Sequence, residues 1–238
     1  MNLETQARRI VAAGAEHGVA LRLLGGLAVR IHSPSAARPE LARDYADIDL
    51  FSPERHLEPV FAALSYRPDR EFNLLNGDSR QIYHPEDGAF RVDVFVGEFE
   101  MCHRIPLAGR MEVDVPTVPL AELLLTKLQI VEANEKDLLD IWTLLSDHPV
   151  GESDEETIHR GRIEELCSRD WGLWRTVMGS LDKTESFGRQ LSGSDLVLQR
   201  IDELRTGLRD CRKSSGWKLR SLVGERLRWY ELPEEVER

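Results

Sequence analysis

A mixed α/β region followed by an all-helical region is the fold class that this sequence predicts, and three observations predict it. Up to about residue 115, short apolar runs of strand length alternate with stretches of helical period. After Pro119 the apolar residues fall at helical spacing, first over residues 120–133 and then over 136–146. The chain has 238 residues, 41% of them hydrophobic and 31% charged, which is enough apolar content to build one large core or two modest ones. The expected division is residues 1–147 and 148–238.

Each element has its own warrant. Residues 4–17 place Ile10, Val11 and Gly14 on one side of charged positions, a helix with Gly18 as its stop signal. Residues 19–24 form a short apolar run expected as a strand. Gly25 and Gly26 follow it, and 27–32 open a second helix. A polar, proline-containing loop covers 33–43. Residues 46–52 alternate through Asp47, Ile48, Asp49 and Leu50 with the strand period. Residues 53–64 line up Leu57, Val60, Phe61 and Leu64 on one helical face. Strands are expected at 80–84 and 90–96, joined by a turn at 85–88, with weaker strand patterns at 100–105 and 112–115. An acidic stretch at 151–156 is expected as a linker or helix start. The remainder is helical, with breaks near Gly179, Gly193 and Gly216.

Composition excludes several classes. With 17 Gly and 11 Pro spread along the chain, collagen-like and low-complexity sequences are out. No apolar run approaches the ~18 residues needed to span a bilayer, and residues 1–16 lack an apolar export core. Cys102, Cys167 and Cys211 are odd in number, widely spaced and free of CxxC pairs. A cytoplasmic protein with reduced thiols and no membrane partner is expected. The formal charge of −11 argues against coating nucleic acid through net charge.

The chemistry concentrates in carboxylates. Residues i and i+2 of a strand share a face, so Asp47 and Asp49 project together. Two acids held so close repel one another, and a hard divalent cation such as Mg²⁺ or Mn²⁺ relieves that repulsion. The alternative is two solvent-facing acids near a strand end. Asp93 sits within the apolar run Phe90-Arg91-Val92-Asp93-Val94-Phe95-Val96. An acid there needs a metal or a partner if it is buried; otherwise it lies on the wet face of an edge strand or pairs with Arg91. If the two strands are neighbours, three carboxylates converge. Gly25-Gly26 lies between a strand and a helix, where glycine permits close backbone approach and the helix start offers N–H groups to an anion. An ordinary tight turn would look the same.

In this order, over residues 21–146, these motifs resemble the DNA polymerase β-type nucleotidyltransferase superfamily. Its pattern is a hydrophobic-Gly-Gly/Ser turn, an acid-hydrophobic-acid-hydrophobic strand and a third acid in a later apolar strand. The resemblance implies a nucleotidyltransferase fold: a small mixed β-sheet flanked by helices, plus a C-terminal helical domain. It implies two Mg²⁺ (or Mn²⁺) ions at Asp47, Asp49 and Asp93, with Asp93 helping to activate the acceptor hydroxyl. Gly25 and Gly26 would hold the triphosphate of an NTP. Gly26 departs from the pattern, since many members carry Ser there. Arg43, four residues before Asp47, would touch a phosphate or remain a surface charge of its loop.

Residues 122–140 are similar to the Lys…(Lys/Arg)-Asp-x-x-Asp helical pair of abortive-infection nucleotidyltransferase toxins. By that resemblance Lys127 contacts the nucleotide phosphates, and Asp140, or else Asp137, supports the lysine or the base site. The family branches imply different acceptors: tRNA for a toxin-like enzyme, with a cognate antitoxin as partner, or an antibiotic of aminoglycoside or lincosamide type. A reading of another class is a non-catalytic nucleotide-binding or interaction protein. Residues 205–228 bear on this choice. They are basic, with Arg205, Arg209, Arg212, Lys213, Lys218, Arg220, Arg226 and Arg228, and Trp217 and Trp229 accompany them. The stretch suits RNA contact, or a helical face folded against the acidic part of the chain. Zinc motifs (HxH, HExxH) and a GxSxG elbow are missing from the sequence.

Overall fold

The computed structural model describes residues 2–86, 90–189, 191 and 193–232. The chain forms two compact units. The first is Met1–His32, Ala42–Glu100 and Arg104–Pro119; the second is Ser33–Leu41, Met101–His103 and Leu120–Arg238. Residues 120–147, assigned above to the first domain, therefore belong to the second unit.

The first unit opens with α1 (Leu3–Glu16), whose first turn is capped by the Asn2 side chain accepting the Thr5 N–H at 2.8 Å. There follow β1 (Arg22–Leu23), α2 (Gly25–His32), β2 (Asp47–Ser52), α3 (Glu58–Ala63), β3 (Tyr66–Pro68), α4 (Arg70–Asn76), β4 (Arg80–Pro85), β5 (Arg91–Val96), β6 (Phe99–Glu100) and β7 (Arg104–Ile105). Five strands make one sheet in the order β1-β2-β5-β4-β3, with β2 and β5 parallel and the other neighbours antiparallel. The fold is mixed α/β, as expected.

Register sorts the side chains. Paired residues share a face, so Ile48, Leu50, Val92, Val94 and Tyr83 line one side. That side is the core: these residues are buried, and Phe61 of α3 stacks on Tyr83 with ring centroids 3.8 Å apart. The opposite side carries Asp47, Asp49, Arg91, Asp93 and Arg80.

Several expectations were too long or misplaced. β1 is two residues, not 19–24. The helix expected over 53–64 starts only at Glu58, with Pro59 preset in its first turn. Residues 112–115 form no strand. β3 and α4 were not anticipated. α4 buries none of its residues, and Leu74 and Leu75 are 85% and 78% exposed, so it leaves no periodic core signal. Of the turn expected at 85–88, Asp87 and Gly88 lie outside the described residues.

The second unit holds α5 (Leu120–Leu128), α6 (Glu135–Asp147), β8 (Val150–Gly151), β9 (Ile158–His159), α7 (Arg160–Arg169), α8 (Trp171–Gly188), α9 (Ser194–Asp210) and α10 (Ser215–Val223). The acidic stretch is more than a linker, because the strands on either side of it pair in parallel. Gly179 does not break a helix but lies inside α8. Gly188 lets α8 reach the indole of Trp142: a Cβ there would stand 1.9 Å from the buried ring. Among the described residues no helix is long and apolar enough to cross a membrane.

His103 is buried in this unit. Its backbone N–H donates to Gln129 Oε1 at 2.7 Å, and its Nε2 lies 2.8 Å from Thr176 Oγ1. Trp229 Nε1–H donates to the same Oγ1 at 3.1 Å, which leaves the threonine proton for a neutral imidazole. Burial lowers the His103 pKa against a weaker pull from Asp170. As pH falls below the unfolded value of about 6.5, the unfolded chain gains a proton that the folded chain refuses, so stability falls. Thermal melts from pH 7.5 to 5.5 are expected to show a loss of Tm that His103→Gln reduces. An equal slope in the variant would contradict this.

Candidate active site

Strand register puts Asp47, Asp49 and Asp93 on one face of the first unit's sheet. Asp49 and Asp93 are register partners on parallel neighbouring strands, whose backbones run about 4.8 Å apart. Asp47 lies two residues earlier on the same face, opposite Arg91. Asp93 is 1% exposed, whereas Asp47 retains about a third of its side-chain surface.

Gly25 begins α2 at φ +69°, a conformation that other residues rarely adopt. A Cβ there would lie 2.1 Å from Asp49 Oδ2, so the turn closes directly on that carboxylate. The Leu24 N–H also donates to the Asp49 carbonyl at 3.0 Å. At Gly26 a Cβ would stand 1.6 Å from an Arg43 guanidinium nitrogen. Arg43 thus occupies the space over Gly26. Its guanidinium also lies over the Tyr45 ring, 4.5 Å from the centroid. Gly25→Ala is expected to destabilise by about 1–2 kcal/mol from backbone strain alone. Gly26→Ala is expected to do less harm, because a flexible guanidinium can move aside. Urea melts followed by far-UV circular dichroism rank the two, and the reverse order would contradict this packing.

Asp93 has a partner that the sequence did not indicate. Arg80 Nε donates to Asp93 Oδ1 at 2.8 Å and a terminal guanidinium nitrogen to Oδ2 at 2.6 Å. Arg91, the expected partner, lies 3.6 Å from Asp47 instead. Only the antiparallel register of β4 on β5, which places Arg80 opposite Phe95, brings Arg80 within reach. Its guanidinium also sits over the Phe95 ring, 5.0 Å from the centroid. Burial works against the Arg80 charge, but Asp93, then Asp49 and Asp47, outweigh it and hold the cation more firmly than usual.

These residues suit a hard divalent cation only in part. Asp47 and Asp49 put two half-buried carboxylates on one face, the oxygen chemistry that Mg²⁺ or Mn²⁺ requires, with Arg91 3.6 Å from Asp47. Both oxygens of Asp93 are engaged by Arg80. Among the described residues no group of three or more His, Cys, Asp or Glu is gathered as a metal site.

In the second unit Lys127 closes α5, with Nζ 3.1 Å from Asp137 Oδ1 and 2.9 Å from Asp140 Oδ2. The two acids are one turn apart on α6 and so share a face. The alternatives Asp140 or Asp137 resolve into both. Asp137 also completes the capping box with Asn134.

The C-terminal basic residues are partly engaged within their own unit. Arg205 pairs with Asp182, Glu185 and Asp202, and Lys213 donates to the Leu208 and Cys211 carbonyls. Arg220 donates to the Gly224 and Leu227 carbonyls. Trp217 packs edge-on against Trp174, and Trp229 against Trp171.

No protein-family model matches the chain, and no curated protein matches it significantly. Among solved structures, the chain is similar to the antibiotic-resistance factor ANT(2'')-Ia, with 17% identity and a TM-score of 0.41, over 69% of this chain and 93% of that one. It is also similar to an antigenic nucleotidyltransferase-like protein from Paracoccidioides brasiliensis, with 14% identity and a TM-score of 0.43, over 90% and 94% of the two chains. Both likenesses are remote, and the functional reading rests on this chain's own residues.

Proposed function

We propose that the protein transfers a nucleoside monophosphate from an NTP to an acceptor hydroxyl. The observation that carries this is the register of Asp49 on Asp93, with Asp47 beside them and the Gly25 turn closed on Asp49. Three acids on one sheet face repel one another; Arg80 at Asp93 and Arg91 near Asp47 offset part of this, and a bound cation would offset more. Asp47 and Asp49 would hold Mg²⁺ or Mn²⁺. Such an ion, when bound, neutralises phosphate charge and lowers the barrier to displacement.

The acceptor oxygen forms a bond to the α-phosphorus as its proton passes to solvent, the bond to the bridging oxygen breaks, and pyrophosphate leaves. By the resemblance Asp93, which Arg80 holds in place, would help to activate that hydroxyl. The N–H groups of the Gly25-Gly26 turn and the Arg43 guanidinium bind phosphate oxygens. The resemblance also gives Lys127 a phosphate-binding role; within its own unit it is paired with Asp137 and Asp140.

For the acceptor, a cationic small molecule bearing hydroxyls, such as an aminoglycoside, has the better support. The chain's charge of −11 attracts cations. The basic stretch that favoured tRNA has several of its cations and both tryptophans engaged within its own unit. A tRNA acceptor, and the antitoxin partner that goes with it, have less. Incubation with α-labelled NTPs, Mg²⁺ and either a pooled aminoglycoside set or bulk tRNA tests this. Label on the drug is expected. Label on tRNA would overturn the acceptor and keep the chemistry. Tight NTP binding with no transfer to either pool would favour the binding-protein reading.

A further inference from the structure

We propose that Cys211 and Cys167 form a peroxide-sensitive dithiol in the second unit, in which Cys211 takes the oxidant and Cys167 closes a disulfide. This stands apart from the nucleotidyl-transfer reading. Cys211 follows the last residue of α9 and is half-buried, whereas Cys167 is fully buried in α7. Cys211 Sγ lies 3.9 Å from the Glu164 carbonyl. In a helix the side chain three residues further on lies beside such a carbonyl, so the Cys167 side chain borders the same spot. Gly207 permits this approach of α9 to α7: a Cβ there would stand 2.0 Å from Glu164 Oε1. The Ser214 N–H donates to the Ser168 carbonyl at 2.9 Å and so holds the chain after Cys211 against the end of α7.

Lys213 marks Cys211 as the sulfur that reacts first. Its Nζ donates to Sγ at 3.0 Å, and to the Leu208 and Cys211 carbonyls at 2.5 and 3.0 Å. Peroxide is attacked by thiolate, and sulfurs that are partly exposed beside a cation are the ones oxidised. In the first step the Cys211 sulfur bonds to one peroxide oxygen and the O–O bond breaks. Hydroxide leaves and takes up the proton that the thiol released. In the second step the Cys167 sulfur bonds to the Cys211 sulfur, the S–O bond breaks, and water leaves with the Cys167 proton. The two sulfurs together lose two electrons, which the peroxide gains. Burial, and then the Cys211 sulfur, push the Cys167 thiol above its usual range. Cys167 therefore waits as a neutral thiol, and the second step is the slower one.

Treatment of the full chain with hydrogen peroxide, followed by intact mass and a non-reducing peptide map, tests this. The oxidised wild type is expected to weigh about 2 Da less, the two thiol hydrogens, with Cys167 and Cys211 in one linked peptide pair that dithiothreitol separates. Of the three cysteines, only Cys102 should then take a thiol label after denaturation. Cys167→Ala is expected to hold the sulfenic acid at Cys211, where dimedone traps it, and Cys211→Ser to leave Cys167 unmodified. Lys213→Gln is expected to slow the oxidation by about tenfold at neutral pH, and Lys213→Arg to retain most of the rate.

Cys211 carried on to sulfinic or sulfonic acid in the wild type, with Cys167 still a thiol, would overturn the pairing. So would a bridge that uses Cys102, or one that forms only between two copies of the chain. An unchanged rate in Lys213→Gln would overturn the role of the lysine. Should Cys167→Ala fail to fold, the peptide map of the wild type decides alone, because it needs no variant. A wild type that keeps all its thiols under peroxide would overturn the proposal as a whole.

Discussion

Asp49→Asn is expected to lower nucleotidyl transfer by at least about 10³-fold, corresponding to the several kcal/mol that a lost metal ligand withdraws from the transition state. The same substitution should leave stability within about 1 kcal/mol, because asparagine is isosteric and one charge leaves a like-charged group. The separation of the two effects is the informative part. Asp49 lies against the Gly25 turn and opposite Asp93, so a bulkier residue would disturb the fold as well. Activity that survives in Asp49→Asn would contradict the assignment of the site. A large loss of stability would show instead that the carboxylate is a structural element of the turn.

Lys127→Met is expected to destabilise the second unit by about 3–5 kcal/mol, the usual result of withdrawing one partner from a buried ion cluster. Lys127 and Asp137 are each 12% exposed at the side chain and Asp140 only 3%, so water compensates little of the lost charge. All five tryptophans, Trp142, Trp171, Trp174, Trp217 and Trp229, lie in this unit, and their fluorescence follows its unfolding in urea. Lys127→Met combined with Asp140→Leu should recover part of the loss, since the buried carboxylate leaves with its cation. A single variant as stable as wild type would contradict the cluster. Activity lost in Lys127→Met must therefore be read beside its stability before phosphate binding is assigned.

Much of the site was legible because its chemistry is local. Asp47 and Asp49 declare their shared face through the strand period, and Asp93 declares itself as an acid among apolar neighbours. Gly25 and Gly26 mark a strand-to-helix turn in the same way. What stayed hidden depends on register and packing between distant segments. That Asp49 faces Asp93 follows from the parallel pairing of β2 and β5, and that Arg80 rather than Arg91 holds Asp93 follows from the antiparallel pairing of β4 on β5. Neither pairing is written in any window of sequence. Arg43 filling the space above Gly26 is a loop conformation, equally silent. α4 escaped notice because its leucines face outward, so hydrophobic period carries no trace of it. The partners of the basic residues Arg205, Lys213 and Arg220 were hidden in the same way. Composition suggested a nucleic-acid face, but charge counted along a chain says nothing of how many cations are already hydrogen-bonded at home.

Pyrophosphate release from each of the four NTPs, measured with Mg²⁺ and pooled hydroxyl acceptors, tests the central claim most directly. The account predicts release that requires Mg²⁺ and an acceptor and that disappears in Asp49→Asn. Release unchanged in Asp49→Asn, or no Mg²⁺-dependent binding of any NTP by the wild type, would contradict it.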